Sequence, residues 1–485
     1  MPEVLRSLFV FDAKAPLLFT GGQFLFWLTL FFPVLSLLQR AGRARLLYLA
    51  LFSCFFYYKC SGALLAALLF TASADFWLAQ RIAASTCERA RKRWLWLSLA
   101  LSGMVLVYFK YTNFLIGTAA SVAGFRFEPL DLVAPAGISF YTFESISYVV
   151  DVYRGRLQPT TRFVEYLAYL AYFPHLMAGP IMRAEQLLPQ LRRAPRLDTE
   201  RLGSGLFLLL SGLFKKAVVA DYLASYADGV FSGGAGLSGF ELLLGVYCYA
   251  CQIYCDFSGY SEIALGLGRI TGVELPLNFH APYAATSLTD FWRRWHISLS
   301  TWLRDYVYVP LGGNRRGRVR TLINLLLTML FGGLWHGASF SFVLWGLAHG
   351  VLLGVEKVLA RPLARWQRSR AARAASIIVT FHVVALLWIP FRAGRITLCV
   401  QLVRRMLFDF QATHVLAVLN ARAWLIVALA LGGLLGVTSL EPIERLAMRF
   451  ARAPLLLRAA LAVATIQLTL ELRSAEVQPF IYFQF

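Results

Sequence analysis

Long apolar runs without a charged residue restrict this chain more than any other feature. "GGQFLFWLTLFFPVLSLL" (Gly21–Leu38) and "LLYLALFSCFFYY" (Leu46–Tyr58) are two of many. A helical run of about 18 or more apolar residues matches the roughly 30 Å thickness of bilayer hydrocarbon. In hydrocarbon the backbone must satisfy its own N–H and C=O groups, which leaves helices as the building unit. The expected class is therefore all-α: a polytopic integral membrane protein of roughly a dozen transmembrane and re-entrant helices. Composition points the same way, with 58% hydrophobic and 15% charged residues and a mean hydropathy of +0.61. A soluble domain carries about 25% charged residues.

The formal charge is +21, from 47 Lys and Arg against 26 Asp and Glu. In a soluble chain that excess would suggest nucleic acid. Here the cations fall in short clusters between apolar runs: "RAGRAR", "ERARKR" before Trp94, "RRGRVR" before Thr321 and "RPLARWQRSRAAR" after Ala360. That is the positive-inside pattern of cytoplasmic loops, so no nucleic-acid partner is expected. The same clusters suit anionic lipid headgroups or a phosphorylated cytosolic substrate. "MPEVLRSLFVFDAKAP" lacks a basic stretch running into an apolar core, so the first long run is expected to be a retained helix.

If every Arg-rich loop faces the cytoplasm, the runs Gly21–Leu38, Leu46–Tyr58, Leu64–Ala79, Trp94–Ile116 and Ala134–Val150 alternate in direction. Glu165–Pro180 lies between two basic segments and should dip in and return, bending at Pro174 and Gly179-Pro180. Gly203–Tyr222 and Glu241–Asp256 follow, joined by the glycine-rich "SGGAGLSG". Thr289–Gly313 is helix-like and aromatic but holds three arginines, which predicts an interfacial or re-entrant segment. Thr321–Leu334 and Phe340–Val355 should form a hairpin bent at "GGLWHGAS". Further apolar helices are expected at Ile377–Pro390, Leu398–Phe410, Trp424–Leu440 and Leu455–Leu470. The whole chain, 1–485, reads as one membrane domain, with an aromatic tail at 476–485 on the extracytoplasmic side.

Cys248, Cys251 and Cys255 in "CYACQIYC" share a helical face, but the segment is continuously apolar and offers no fourth ligand, so no metal is expected. The seven histidines are more informative: His175, His280, His296, His336, His349, His382 and His414. An ionisable ring at membrane depth is costly and marks a functional position by default. His336 in "GGLWHGAS" and His296 in "WRRWHISLS" are the candidates. A neutral imidazole in a polar passage can take a proton from a nucleophile; one packed against a carbonyl only caps it. Asp256 and Ser258 in "CDFSGY", and Asp305 in "WLRDY", either line such a passage or pair with nearby arginines. His349 lies 13 residues past His336, off the same helical face, and reads as structural. His175, beside Pro174, is open to either role; His280, His382 and His414 read as packing or interface residues.

"DFWRRWHISLSTWLRDYVYVPLGGNRRG" followed by "NLLLTMLFGGLWHGASFSFVLWGLAHG" resembles the membrane-bound O-acyltransferase (MBOAT) family, in its bacterial branch, which includes the membrane subunit of alginate O-acetylation. "GISFYTFESISYVVDVYRG", "FPHLMAGPIMR" and "QIYCDFSGYSEIALGLGR" carry the same likeness, and the core motifs run from 132 to 350. The resemblance implies a central tunnel and acyl transfer. His336, in the "LWHG" motif beside Trp335, takes the position of the main catalytic residue. His296 falls on the second family position, held by Asn or His. It further implies an acyl thioester donor entering from the cytoplasm, such as acetyl-CoA, with no tightly bound cofactor. Arg315 and Arg316, with Arg318 and Arg320, are placed either for donor phosphates or as an orienting basic loop. The implied partners are a periplasmic SGNH-type acetyltransferase, an exopolysaccharide acceptor such as alginate, and the lipids of the bacterial inner membrane. In the tail "PFIYFQF", Tyr482 is either an acyl relay or an aromatic interfacial anchor. The rival readings are D-alanyl transfer to teichoic acid and, from another class, a polysaccharide or lipid transporter.

Overall fold

The computed structural model describes residues 3–177, 179–195, 197–234, 236–411, 420–472 and 480, and among them every regular element is helical. The main helices are α1 (Gly22–Leu37), α2 (Gly42–Ser61), α3 (Leu65–Ala84), α4 (Glu88–Ala123), α5 (Ile138–Tyr153) and α6 (Phe163–Leu170). They continue as α7 (Thr199–Phe231), α8 (Gly239–Thr271), α9 (Leu288–Arg294), α10 (Ile297–Leu303), α11 (Gly317–His336) and α12 (Phe340–Val358). Last come α13 (Arg370–Ala393), α14 (Ile396–Phe408), α15 (Ala423–Val437), α16 (Leu440–Arg452) and α17 (Leu455–Leu472). Among the described residues, seven helical spans are long and apolar enough to cross a membrane, and eight if α15 and α16, bent by 99°, form one broken span. The protein is thus an all-α, multi-pass membrane protein. The remaining expected segments are shorter, or carry buried polar side chains that lower their hydropathy.

The packing divides into two compact units, 1–209 with 263–276, and 210–262 with 277–485. In the first, Asp75 of α3 is fully buried and accepts hydrogen bonds from Ser98, Ser102 (2.7 Å) and Ser145, the last also bonded to the Tyr166 hydroxyl at 2.8 Å. Three hydroxyl donors replace the water that this carboxylate loses, as a buried polar group requires. Glu165–Pro180 does not run as one helix. α6 stops at Leu170, a single helical turn spans Phe173–Leu176, and His175 sets its Nδ1 3.0 Å from Glu144 Oε1 on α5.

In the second unit, α7 contains a π turn at Lys215–Ala220, and both lysines there are buried against carboxylates. Lys215 meets Glu262, while Lys216 sits 2.6 Å from both Asp221 and Asp256. These pairs explain why α8 extends 15 residues beyond the expected end at Asp256: the polar "CDFSGYSE" stretch is neutralised by a different helix. Close approach is permitted by Gly259, whose added Cβ would lie 2.8 Å from the Gly212 carbonyl oxygen.

The α11–α12 hairpin also departs from expectation. The helix continues through Gly332 and Gly333 to His336, so those glycines form no kink. Gly333 lies in a tight helix crossing: a Cβ on it would sit 2.4 Å from the Phe342 carbonyl oxygen, and one on Gly346 would sit 2.5 Å from that of Met329. Small residues at such a contact let backbones approach, the main route to affinity between helices in lipid.

Candidate functional site

Two breaks in helical structure position the imidazoles. The first lies in "WRRWHISLS", expected to be one helix and found as two. α9 ends at Arg294, and His296 adopts a left-handed conformation (φ 42°, ψ 55°) before α10 starts at Ile297. Among the described residues, only Ala281 and His296 combine a side chain with positive φ. Such a backbone costs about 1–2 kcal/mol and persists where its surroundings enforce it. Here Asn278 does so. Its carbonyl accepts from Ile297 N–H at 3.0 Å, its Oδ1 accepts from the Ser298 hydroxyl at 2.6 Å, and its Nδ2 donates to Ser261 at 3.2 Å. Asn278 is fully buried and escaped the sequence reading, because a single Asn in "PLNFH" has no periodicity to reveal it.

The second break follows His336, the last residue of α11. Gly337 takes an extended conformation and Ser339 precedes α12. Gly337 leaves no space for a side chain, since a Cβ there would lie 2.0 Å from the Phe342 ring. The chain therefore turns sharply at His336 and holds its imidazole inside.

The two rings are neighbours, with centroids 6.5 Å apart. His336 is 3% exposed and His296 0%. Around His336 stand Trp335, Trp345 and Phe391, each nearly perpendicular to it at 4.9–5.1 Å. His296 meets Phe257 edge to face at 4.6 Å and Trp335 at 6.0 Å. Outside the spanning helices, burial pushes the His296 imidazole down to about 3, so it is neutral at physiological pH. An oxygen hydrogen-bonded to an imidazole nitrogen lies roughly 4 Å from the ring centre, so rings at this spacing can both reach one reacting group. Adjacent imidazoles in an aromatic wall can accept a proton and steady a developing charge.

The other candidates occupy varied settings. Trp335 is buried and touches both rings. Asp256 precedes Phe257 in α8 and is bound to Lys216, and Ser258 is buried one residue further on. Asp305 pairs with the adjacent Arg304 at 2.8 Å on a π turn. Arg315 and Arg316 are exposed in the loop before α11. His349 receives the Trp292 indole N–H at 3.3 Å and packs on Trp345 at 4.7 Å. Although His349 is off the His336 face along the sequence, the hairpin joins it to the same aromatic wall through Trp345. His382 is exposed against Tyr247, and His414 lies outside the described residues. Tyr482 also lies outside them. Two positions before it, Phe480 is fully buried against Tyr260 (4.4 Å) and Phe257 (5.5 Å), the ring that contacts His296.

The profile of MBOAT, the membrane-bound O-acyltransferase family, matches residues 156–392, a stretch that contains both histidines. The probable alginate O-acetylase AlgI of Pseudomonas aeruginosa is 43% identical over 66% of this chain and 61% of its own length. The chain thus spans less than two thirds of that relative. The protein of the same name from Pseudomonas putida is 42% identical over 78% of this chain and 77% of its own. The peptidoglycan O-acetyltransferase of Helicobacter pylori is 33% identical over 74% and 73%.

Proposed function

Because the chain belongs to the membrane-bound O-acyltransferase family, we propose that it moves an acyl group, acetyl foremost, from a thioester donor to a hydroxyl acceptor. The observation that carries this reading is the pair of buried imidazoles 6.5 Å apart, each at a helix break. His336 serves as general base toward the hydroxyl. The oxygen attacks the thioester carbonyl and the C–S bond breaks, with the proton passing through His336 to the departing thiolate. His296, neutral through burial, orients the carbonyl or steadies the thiolate. Trp335 packs against both rings and helps fix their spacing.

The donor is acetyl-CoA, approaching from the cytoplasm through a central tunnel, with its phosphates met by Arg315 and Arg316. A charged thioester cannot cross hydrocarbon, whereas a path through the protein brings the acyl arm alone to the histidines. The final acceptor is an extracytoplasmic polysaccharide; alginate and peptidoglycan appear in the names of the relatives. A periplasmic SGNH-type acetyltransferase completes the transfer, and the protein resides in the bacterial inner membrane. Asp256, Ser258 and Asp305 belong to the substrate path. Tyr482 is an intermediate acceptor whose phenyl ester keeps enough transfer potential for a partner's serine; Phe480, two positions before it, is buried beside Phe257, which supports the reading.

The test uses inverted membrane vesicles holding the full chain and radiolabelled acetyl-CoA, with label followed onto the hydroxyl acceptor. Wild-type protein should transfer label, His336→Ala should abolish transfer at equal protein level, and Tyr482→Phe should block delivery to a partner enzyme. Transfer of D-alanine from a carrier-protein thioester, but not acetyl from acetyl-CoA, would instead identify the teichoic-acid reaction. Polymer crossing unmodified, with or without His336, would identify a transporter.

A further inference from the structure

A groove of about 460 Å³ runs along the outer side of the α11–α12 hairpin, lined by apolar residues that include Leu322, Ile323, Leu326, Val351, Val355 and Val358. We propose that it seats an acyl chain of an anionic phospholipid, whose phosphate rests on Arg318 and Lys357. The inference goes beyond acyl transfer and does not depend on it.

The register of the hairpin places those cations. A Cβ on Gly350 would meet Leu326, and one on Gly354 would meet Leu322. Continuing the antiparallel pairing by one turn sets Arg318 opposite Val358, at the same end of the groove as Lys357. Arg318 and Leu322 are four residues apart and share a helical face. The Lys357 ammonium donates to Asn314 Oδ1 at 3.2 Å, which draws it to the loop carrying Arg315 and Arg316. Arg318, Lys357 and Arg361 are all exposed. The carboxylate next to Lys357 is turned elsewhere, since Glu356 accepts the backbone N–H groups of Leu288 (2.7 Å) and Thr289 (3.1 Å). The end of the groove is therefore cationic, while its length carries no polar side chain.

An apolar channel ending in Arg and Lys complements one class of molecule, a lipid with a hydrocarbon tail and a negative head. The arginine-rich end is the cytoplasmic one by the positive-inside pattern, the side on which anionic lipids act. A second copy of the chain fits less well. A two-fold contact along the membrane normal would bring both cationic rims together. Acetyl-CoA fits less well too, because its polar pantetheine arm would find no hydrogen-bonding side chain along the apolar length of the groove.

The experiment is native mass spectrometry of the full chain in detergent, with phosphatidylglycerol and phosphatidylcholine of equal chain length. Wild-type protein should retain phosphatidylglycerol in preference, and Arg318→Gln and Lys357→Gln should each lower retention on the order of fivefold. Gly354→Phe keeps the cations and fills the groove; the nearest atom to a Cβ there is 3.5 Å away, on Leu322. It should also release the lipid. Equal retention of both lipids overturns the proposal, as does undiminished phosphatidylglycerol on Gly354→Phe. Displacement of the lipid by acetyl-CoA, or a dimer mass that Gly354→Phe abolishes, overturns it as well. Should Gly354→Phe fail to fold, the two charge variants and the comparison of lipids still decide.

Discussion

His175 and His296 are both buried, at 1% and 0% exposure, yet their settings differ. His175 faces the Glu144 carboxylate at 3.0 Å with one ring nitrogen and the Tyr169 carbonyl at 3.2 Å with the other. Glu144 also accepts the Met182 N–H at 2.9 Å, which ties the broken segment after α6 to α5. His296 instead stands on a left-handed backbone, walled by aromatic rings, with a second imidazole beside it. Burial alone does not mark a histidine as functional. The difference lies in the surroundings: a carboxylate and a carbonyl at His175, a left-handed backbone and a second imidazole at His296.

The largest expected effect separates the two settings directly. His336→Gln, which keeps most of the buried side-chain volume, should lower acyl transfer by about 10²–10⁴, the range for loss of a general base, with little change in thermal stability. His175→Ala should do the reverse. It removes a partner of a buried carboxylate at a cost of roughly 2–4 kcal/mol, seen as a lower unfolding temperature and lower yield in membranes. If His175→Ala keeps its stability and loses turnover, the comparison is broken.

pH sharpens it further. The folded state holds His296 near 3, whereas an unfolded imidazole titrates near 6.5. Between these values the unfolded chain binds the extra proton. His296 therefore contributes stability fully above pH 6.5, and that contribution falls as the medium is acidified toward 3, by several kcal/mol in all. Thermal unfolding of His296→Asn in detergent should show a visibly flatter decline from pH 6.5 to 4 than wild type.

The smallest effect concerns the exposed loop. Arg315→Gln and Arg316→Gln should each raise the KM for acetyl-CoA about three- to tenfold and leave kcat near wild type, with the difference shrinking at high salt, as expected of solvent-exposed charges. A drop in kcat alone would place these arginines elsewhere in the cycle.

Much of this was legible in the sequence. Charge-free runs disclosed an all-α membrane protein, and the two histidines singled out in greasy surroundings lie side by side, their ring centroids 6.5 Å apart. What stayed hidden depends on contacts between distant residues. Lys215 and Lys216 neutralise Glu262 and Asp256 across two helices, so no local pattern could show α8 passing through "CDFSGYSE". Gly332 and Gly333 read as a kink because sequence does not reveal what lies opposite: the Leu303 side chain faces Gly332 and the α12 backbone faces Gly333. The break at His296 is enforced by Asn278, 18 residues earlier, and helical periodicity in "WRRWHISLS" gave no warning of it.

The left-handed turn at position 296 means that a replacement there faces two independent filters. Asn and His visit that region of backbone space far more readily than β-branched residues. In a saturation library, valine or isoleucine should vanish at the level of protein accumulation. Asparagine should accumulate normally and report only on what the ring itself supplies.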